Sequence, residues 1–229
     1  LDWNLVLSKV SKPNRFGVAE VVDDRIISIK EEPDNPKSNL AVTGIYLYNK
    51  NIFEAVNDIE PSPRGELEFS DAHQYLLDKD FDVSYSEITG WWKDTGKPSD
   101  LLEANRLVLD NIKSDFKGSV DENSTVSGRV QIGANSRVIN SNIRGPAVIG
   151  DNTTIEESYV GPYSAIGKGC TISGSEVEYS IIMDGCQIIQ VQRRIKSSLL
   201  GNDVEILRSK TRPATHRFML GDQSRVEIE

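Results

Sequence analysis

The chain has 229 residues, 38% of them apolar, and a formal net charge of -9. That supports a packed core in one large domain or two smaller ones. The acidic balance, with no basic cluster longer than Arg193-Arg194, argues against nucleic acid or an anionic membrane as the main partner. No apolar run approaches a membrane span, and Cys170 and Cys186 alone make no disulfide scaffold, so the expected setting is cytoplasmic.

Leu1-Asp2-Trp3-Asn4-Leu5-Val6-Leu7 reads as the run-in to a buried strand and lacks an initiator Met, so the chain is expected to begin inside a larger protein. After the turn at Lys12-Pro13-Asn14, two strand-like runs, residues 16–22 and 25–30, flank Asp23-Asp24 and predict a hairpin. Glu31-Glu32-Pro33-Asp34-Asn35-Pro36 predicts an extended loop, and residues 40–48 a strand broken by Gly44. Residues 50–60 read as a short helix. The segment from Ser62 to Asp71 leads into a second helix through about Lys79, and residues 83–88 form the strand that delivers Gly90. This order predicts an α/β sheet domain with ligand loops at strand ends.

Gly90-Trp91-Trp92-Lys93-Asp94-Thr95-Gly96-Lys97-Pro98 sets two large rings beside an acid bracketed by glycines, a pattern that suits a ligand site. The same residues equally suit a Trp-anchored strand end, with Asp94 and Thr95 capping a helix over residues 99–112.

From about Gly118 the chain repeats. Apolar residues recur every five or six positions, from Val120, Val126, Ile132 and Val138 to Ile182 and Ile188. Small residues stand two positions before most of them, as Ser124, Ser136, Thr153, Cys170 and Cys186 do, and glycine often follows, as in Ile149-Gly150. A triangular parallel β-helix accounts for all three facts: one face per unit, an aliphatic interior and small corners. The cysteines sit one coil apart on corner sites, where a disulfide is geometrically conceivable and reduced core fillers are the expectation. A longer step at residues 190–194 puts Arg193 on a corner and predicts an outward bulge. The repeat is expected to resume at Leu200-Gly201 and Ile206, to be interrupted over residues 211–216, and to close with Leu220-Gly221 and Val226. The expected domains are 1–117 and 118–229.

Phe16-Gly17-Val18, Glu31-Glu32-Pro33, Val42-Thr43-Gly44-Ile45-Tyr46, Arg64-Gly65-Glu66-Leu67-Glu68-Phe69-Ser70-Asp71 and Trp92-Lys93-Asp94-Thr95-Gly96 resemble, in order, the sugar-binding half of the sugar-1-phosphate nucleotidylyltransferases. The resemblance is nearest to the long-form glucose-1-phosphate thymidylyltransferase branch, and from it comes the expectation that the β-helix is left-handed. The implied fold is a partial nucleotidyltransferase-type α/β sheet domain followed by an all-β left-handed parallel β-helix. The implied reaction joins a sugar-1-phosphate to a nucleoside triphosphate with release of pyrophosphate, helped by Mg2+. By the same resemblance Asp94 is one metal carboxylate, and Arg64 grips the sugar phosphate as a catalytic and substrate-binding residue. Glu31 accepts hydrogen bonds from sugar hydroxyls, and Gly17, Thr43, Gly44, Tyr46 and Trp92 line the sugar pocket. A homo-oligomer is expected.

One departure stands out: the family's usual Glu-Lys-Pro is Glu31-Glu32-Pro33 here, so Glu32 is expected to repel the sugar phosphate, with Lys30 as a substitute cation. Two other readings therefore accompany the first. One is a structural or regulatory relative without turnover. The other is an acyltransferase β-helix, against which stands the lack of any histidine in the regular coils; the histidines are His73 and His216. With no close-spaced glycine cluster to cradle a triphosphate, the nucleotide-binding half is expected to be absent, and the 229-residue chain to be inactive alone.

Overall fold

The computed structural model describes residues 3–81, 83–209, 216–222 and 224–228. It divides into two compact units, Leu1–Asp94 and Thr95–Glu229.

In the first unit, β1 (Trp3–Lys9), β2 (Val18–Val22), β3 (Arg25–Lys30), β4 (Leu40–Tyr48) and β5 (Val83–Glu87) form a sheet of order β3-β2-β4-β1-β5. β1 runs antiparallel to β4 and parallel to β5, so the sheet is mixed. The predicted hairpin is present. Asp23 and Asp24 take φ of 49° and 60°, the left-handed pair whose twist matches the two strands they join. Gly44 does not break its strand as expected. At φ +81° it accompanies a register shift between Leu5 and Leu7 of the partner, so β4 bulges and continues to Tyr48.

Strand alternation sends Trp3, Leu5 and Leu7 of β1 into the core. There they meet α2 (Phe69–Asp78), which buries Ala72, His73 and Leu76, residues one turn apart on one helix face. A shorter helix, α1 (Ile52–Asp58), adds Ile52 and Ala55 to the same cluster. Gln74 of α2 accepts a hydrogen bond from the Ile29 backbone N–H at 3.0 Å, tying the helix to β3.

The second unit begins with α3 (Pro98–Leu109), started by Pro98 in the first turn with Lys97 as an uncapped N-terminal residue. Asp94 and Thr95 therefore do not cap it: proline's fixed φ and missing N–H open the helix after them. Side chains hold α3 to the coils. Asn105 donates to the Tyr163 carbonyl at 3.0 Å, the Tyr163 hydroxyl to Asp110 at 3.0 Å, and the Tyr179 hydroxyl to Glu103 at 3.3 Å.

Among the described residues the coils build three parallel sheets of six, five and six strands. Each apolar position of the repeat stacks on its counterpart: Val120, Val138, Ile155, Ile172, Ile188 and Ile206 form one column. Val126, Ile143, Val160, Val177 and Ile195 form a second, and Ile132, Ile149, Ile166, Ile182 and Leu200 a third. Most of them are fully buried in one continuous core.

The small corner residues do more than fit. Ser136 Oγ donates to the Gly150 carbonyl at 2.6 Å and accepts from the Thr153 N–H at 3.0 Å. Thr153 Oγ1 repeats the pattern with the Gly167 carbonyl at 2.8 Å and the Cys170 N–H at 3.1 Å. Each hydroxyl thus bridges neighbouring coils and satisfies backbone groups that a tight corner leaves unpaired. The glycine after the apolar residue has a steric cause: a Cβ on Gly150 would lie 2.6 Å from the backbone of Gly167 one coil on.

Cys170 and Cys186 are free and buried, and burial raises both thiols above their ordinary range. They are not disulfide-bonded. Residues 190–194 carry no strand, and Arg193 is exposed there, before pairing resumes at Ile195–Lys196, Leu199–Leu200 and Glu205–Leu207.

The expected interruption over residues 211–216 lies outside the described residues except for His216, which carries no strand. The expected closing repeat does not form. Residues 216–222 and 224–228 contain no strand, and Leu220 and Val226 are 57% and 48% exposed. The repeat pattern turns a residue inward only where a neighbouring coil accepts its ladder, and this segment makes none.

Candidate functional site

Five separated segments of the first unit converge on a cleft of about 310 Å³. The loop before β2 brings Gly17, and the loop after β3 brings Glu31. The bulge of β4 brings Thr43, Gly44 and Tyr46, and the stretch after β5 brings Trp92 and Asp94. These are the pocket and metal residues named from the sequence, and the fold brings them together. The fifth segment, the start of α2, contributes Phe69 and Ser70, which with Arg15, Phe16 and Val42 also line the cleft and were not singled out. All but Arg15 lie inside the quoted motifs; their side-chain types carried no signal that separates lining from core.

Glu31 is fixed by Ser70, whose Oγ donates to Glu31 Oε2 at 2.5 Å. Gly17 packs against that pair: a Cβ there would stand 2.6 Å from Ser70 Oγ and 3.0 Å from Glu31 Oε2. Thr43 Oγ1 donates to the Val6 carbonyl at 2.7 Å, which ties the bulge of β4 to β1. Phe16 and Trp92 meet edge to face at 5.4 Å and 70°, giving the cleft an aromatic corner. Burial, reinforced by the nearby Glu31 charge, pushes the Tyr46 phenol upward, so it stays protonated at neutral pH.

Behind Tyr46 lies His73, fully buried between aromatic rings. It stacks on Trp3 at 5.1 Å, meets Tyr46 edge-on at 5.0 Å, and its Nε2 is 2.6 Å from the Tyr48 hydroxyl. Burial lowers its pKa to about 4, so the ring is neutral near pH 7. Its ring touches two cleft-lining residues, Tyr46 and Phe69.

Arg64 does not line the cleft. Its guanidinium is held by carboxylates: Nη2 and Nε lie 2.9 Å and 3.1 Å from Glu68, Nη1 lies 3.1 Å from Glu32, and Nη2 lies 3.7 Å from Glu66. Ser62 donates to Glu68 at 2.8 Å, and with Arg64 this holds the Glu68 carboxyl below its ordinary range. Glu32, expected to repel the sugar phosphate, lies 3.1 Å from Arg64. Lys30, the expected substitute cation, is exposed at the end of β3 and does not line the cleft.

Asp94 is half-buried, and among the described residues its carboxylate has no hydrogen bond or ion pair. Among those residues no group of three or more His, Cys, Asp and Glu side chains converges into a metal cage. A lone free carboxylate beside a polar cleft fits magnesium, which takes one or two protein carboxylates and completes its shell with phosphate oxygens and water.

Residues 3–111 match the family model described as Nucleotidyl transferase. The chain is 47% identical over 226 residues to a glucose-1-phosphate thymidylyltransferase of Streptomyces antibioticus, covering 98% of this chain and 63% of that protein. It is 45% identical over 228 residues to the Streptomyces griseus protein of the same name, covering 99% and 64%. A bifunctional protein GlmU of Methanocaldococcus jannaschii is 41% identical over 131 residues, covering 57% of this chain and 32% of that protein. By these matches the chain is similar, over nearly its whole length, to glucose-1-phosphate thymidylyltransferases, and its second unit is a parallel β-helix. It spans a little under two thirds of the two Streptomyces relatives. Among the described residues no helix is long and apolar enough to cross a membrane.

Proposed function

We propose that this chain supplies the sugar-phosphate side of a nucleotidyl transfer, in which glucose-1-phosphate attacks dTTP and pyrophosphate leaves. The observation that carries this reading is the convergence of Gly17, Glu31, Thr43, Gly44, Tyr46, Trp92 and Asp94 on one cleft. Glu31 has one oxygen engaged by Ser70 and the other turned to sugar hydroxyls, and the Phe16–Trp92 corner supports the apolar face of the ring. Thr43 and Gly44 let the bulged backbone approach the ligand, and Tyr46 offers a neutral hydroxyl. Asp94 is the residue that would hold Mg2+, which when bound offsets phosphate repulsion. Arg64 reaches the phosphate by exchanging a carboxylate that now holds it. Residues 1–117 then form the sugar-binding part and residues 118–229 an assembly or stability module, in a cytoplasmic homo-oligomer.

The test is pyrophosphate release by the full-length protein given magnesium, glucose-1-phosphate and dTTP. Release that requires both substrates is the expected result. A protein that neither releases pyrophosphate nor binds glucose-1-phosphate would remove this reading.

A further inference from the structure

Among the described residues three carboxylates hold Arg64, and they hold it unequally. Glu68 receives both Nε and Nη2, at 3.1 Å and 2.9 Å, with a side chain only 10% exposed. Ser62 fixes this end of the loop: its hydroxyl donates to Glu68 at 2.8 Å and accepts from the Arg64 N–H at 3.2 Å, while its N–H donates to the Glu66 carbonyl at 2.8 Å. The Glu66 carboxylate lies 3.7 Å from Nη2, outside hydrogen-bond range, and shares that nitrogen with Glu68. Nη1 is left to Glu32, in an ion pair at 3.1 Å between side chains that are 46% and 49% exposed.

A carboxylate shielded from water that takes two donors keeps its partner. An exposed pair with one contact contributes little, because water and salt screen it and ordering two long side chains opposes it. The guanidinium registers the same order: its pKa is raised first by Glu68, and less by Glu32 and Glu66. Glu32 reaches Arg64 from a left-handed backbone at φ +38°, with its N–H donating to the Phe16 carbonyl at 3.0 Å. Phe16 and the preceding Glu31 both line the cleft. The weakly held nitrogen of the guanidinium is thus the one paired to the chain segment that builds the pocket.

We infer that Glu32 is the carboxylate that competes with the ligand's phosphate for Arg64: an arriving phosphate displaces Glu32 from Nη1, while Glu68 keeps Nε and Nη2 and holds the guanidinium in place. This rests on reading the cleft as a sugar-phosphate site. A phosphate monoester carries about -1.5 to -2 charge at pH 7 and offers three acceptor oxygens, so it wins a contact that a carboxylate of single charge holds by one exposed ion pair. Glu32 then sets the affinity for the phosphate group by competition, and Glu68 is a positioning residue.

Calorimetric titration of the full-length protein with glucose-1-phosphate, in EDTA, decides the matter. Glu32→Gln should tighten binding about three- to tenfold, the gain from removing one exposed competitor. Glu68→Gln should weaken it instead, since the guanidinium loses its anchor; a gain there would make Glu68 the carboxylate exchanged and overturns the inference. In an Arg64→Gln background the Glu32→Gln gain should vanish, with the single and double variants binding equally weakly or not at all. A gain that survives without Arg64 would mean that Glu32 acts on the phosphate by charge alone, and it overturns the inference. So does unchanged affinity in Glu32→Gln, and each of these results leaves the proposed reaction standing. If the gain depends on Arg64 in a protein that releases no pyrophosphate with dTTP, the inference stands and the reaction does not. Failure of both wild type and Glu32→Gln to bind glucose-1-phosphate overturns the inference.

Discussion

Ser70 donates its hydroxyl hydrogen to Glu31 at 2.5 Å across 39 residues of sequence, joining the start of α2 to the loop after β3. Gly17 packs against that bond: a Cβ there would lie 2.6 Å from Ser70 Oγ. Three motifs far apart in the chain thus define one wall of the cleft. Gly17→Ala must push Ser70 and Glu31 apart, so it is expected to weaken glucose-1-phosphate binding by about tenfold and to cost ~1–3 kcal/mol of stability. Titration calorimetry and urea unfolding measure the two effects; wild-type affinity in the variant would show that Glu31 makes no contact with the ligand.

Asp94 lines the cleft and has no hydrogen bond or ion pair among the described residues, so its charge can be removed without disturbing the fold. In the full-length protein Asp94→Asn should reduce turnover by at least about a hundredfold, with melting within about a degree of wild type. Near-normal turnover would take Asp94 out of the metal site.

His73 makes the first unit sensitive to acid. Its folded pKa is lowered to about 4 by burial, while the unfolded imidazole titrates near 6.5. Between these values the unfolded chain holds more protons, so stability is full above pH 6.5 and falls as the pH drops toward 4, by up to ~3 kcal/mol. Tyr46 and Tyr48, the titratable groups against it, stay neutral throughout this window. Urea midpoints at pH 7 and pH 4.5 should differ less in His73→Phe than in the wild type; equal shifts in both would show that His73 does not set the acid response.

Ile155 stands mid-column in the coils, stacked between Val138 and Ile172 and fully buried. Ile155→Ala should cost ~2–5 kcal/mol and Ile155→Val ~0.5–1.5 kcal/mol, read from denaturant unfolding. A cost below that of the valine variant would mean that the coils collapse around the lost volume.

The β-helix is expected to carry no acyl transfer. Of the two histidines, His73 is buried in the first unit, and His216 is exposed outside the coils, stacked on Phe218 at 5.9 Å. Incubation of the full chain with acetyl-CoA and glucosamine-1-phosphate should release no coenzyme A above background, and sustained release would show a base other than histidine at work.

The repeat was legible residue by residue in the sequence, because each coil meets the same demand: an aliphatic side chain inward, a small one at the corner, a glycine where the next coil passes close. Column members from Val120 to Ile206 stack in the register that spacing implies. What spacing could not show is that Ser136 and Thr153 are hydroxyls for a reason, since the carbonyl and N–H they bridge belong to neighbouring coils. Nor could it show that Leu220 and Val226, which repeat the pattern, stay exposed, because burial needs a partner coil as well as a pattern. In the first unit the motifs named the cleft residues, and resemblance did that work rather than any local propensity. Which charges line the cleft was left to tertiary structure. Glu32 and Arg64 lie 32 positions apart and meet only because the loop after β3 packs beside the loop before α2. Electrostatic pairing follows distance in space, which sequence order does not encode, and here it leaves Arg15 rather than Arg64 at the rim of the cleft.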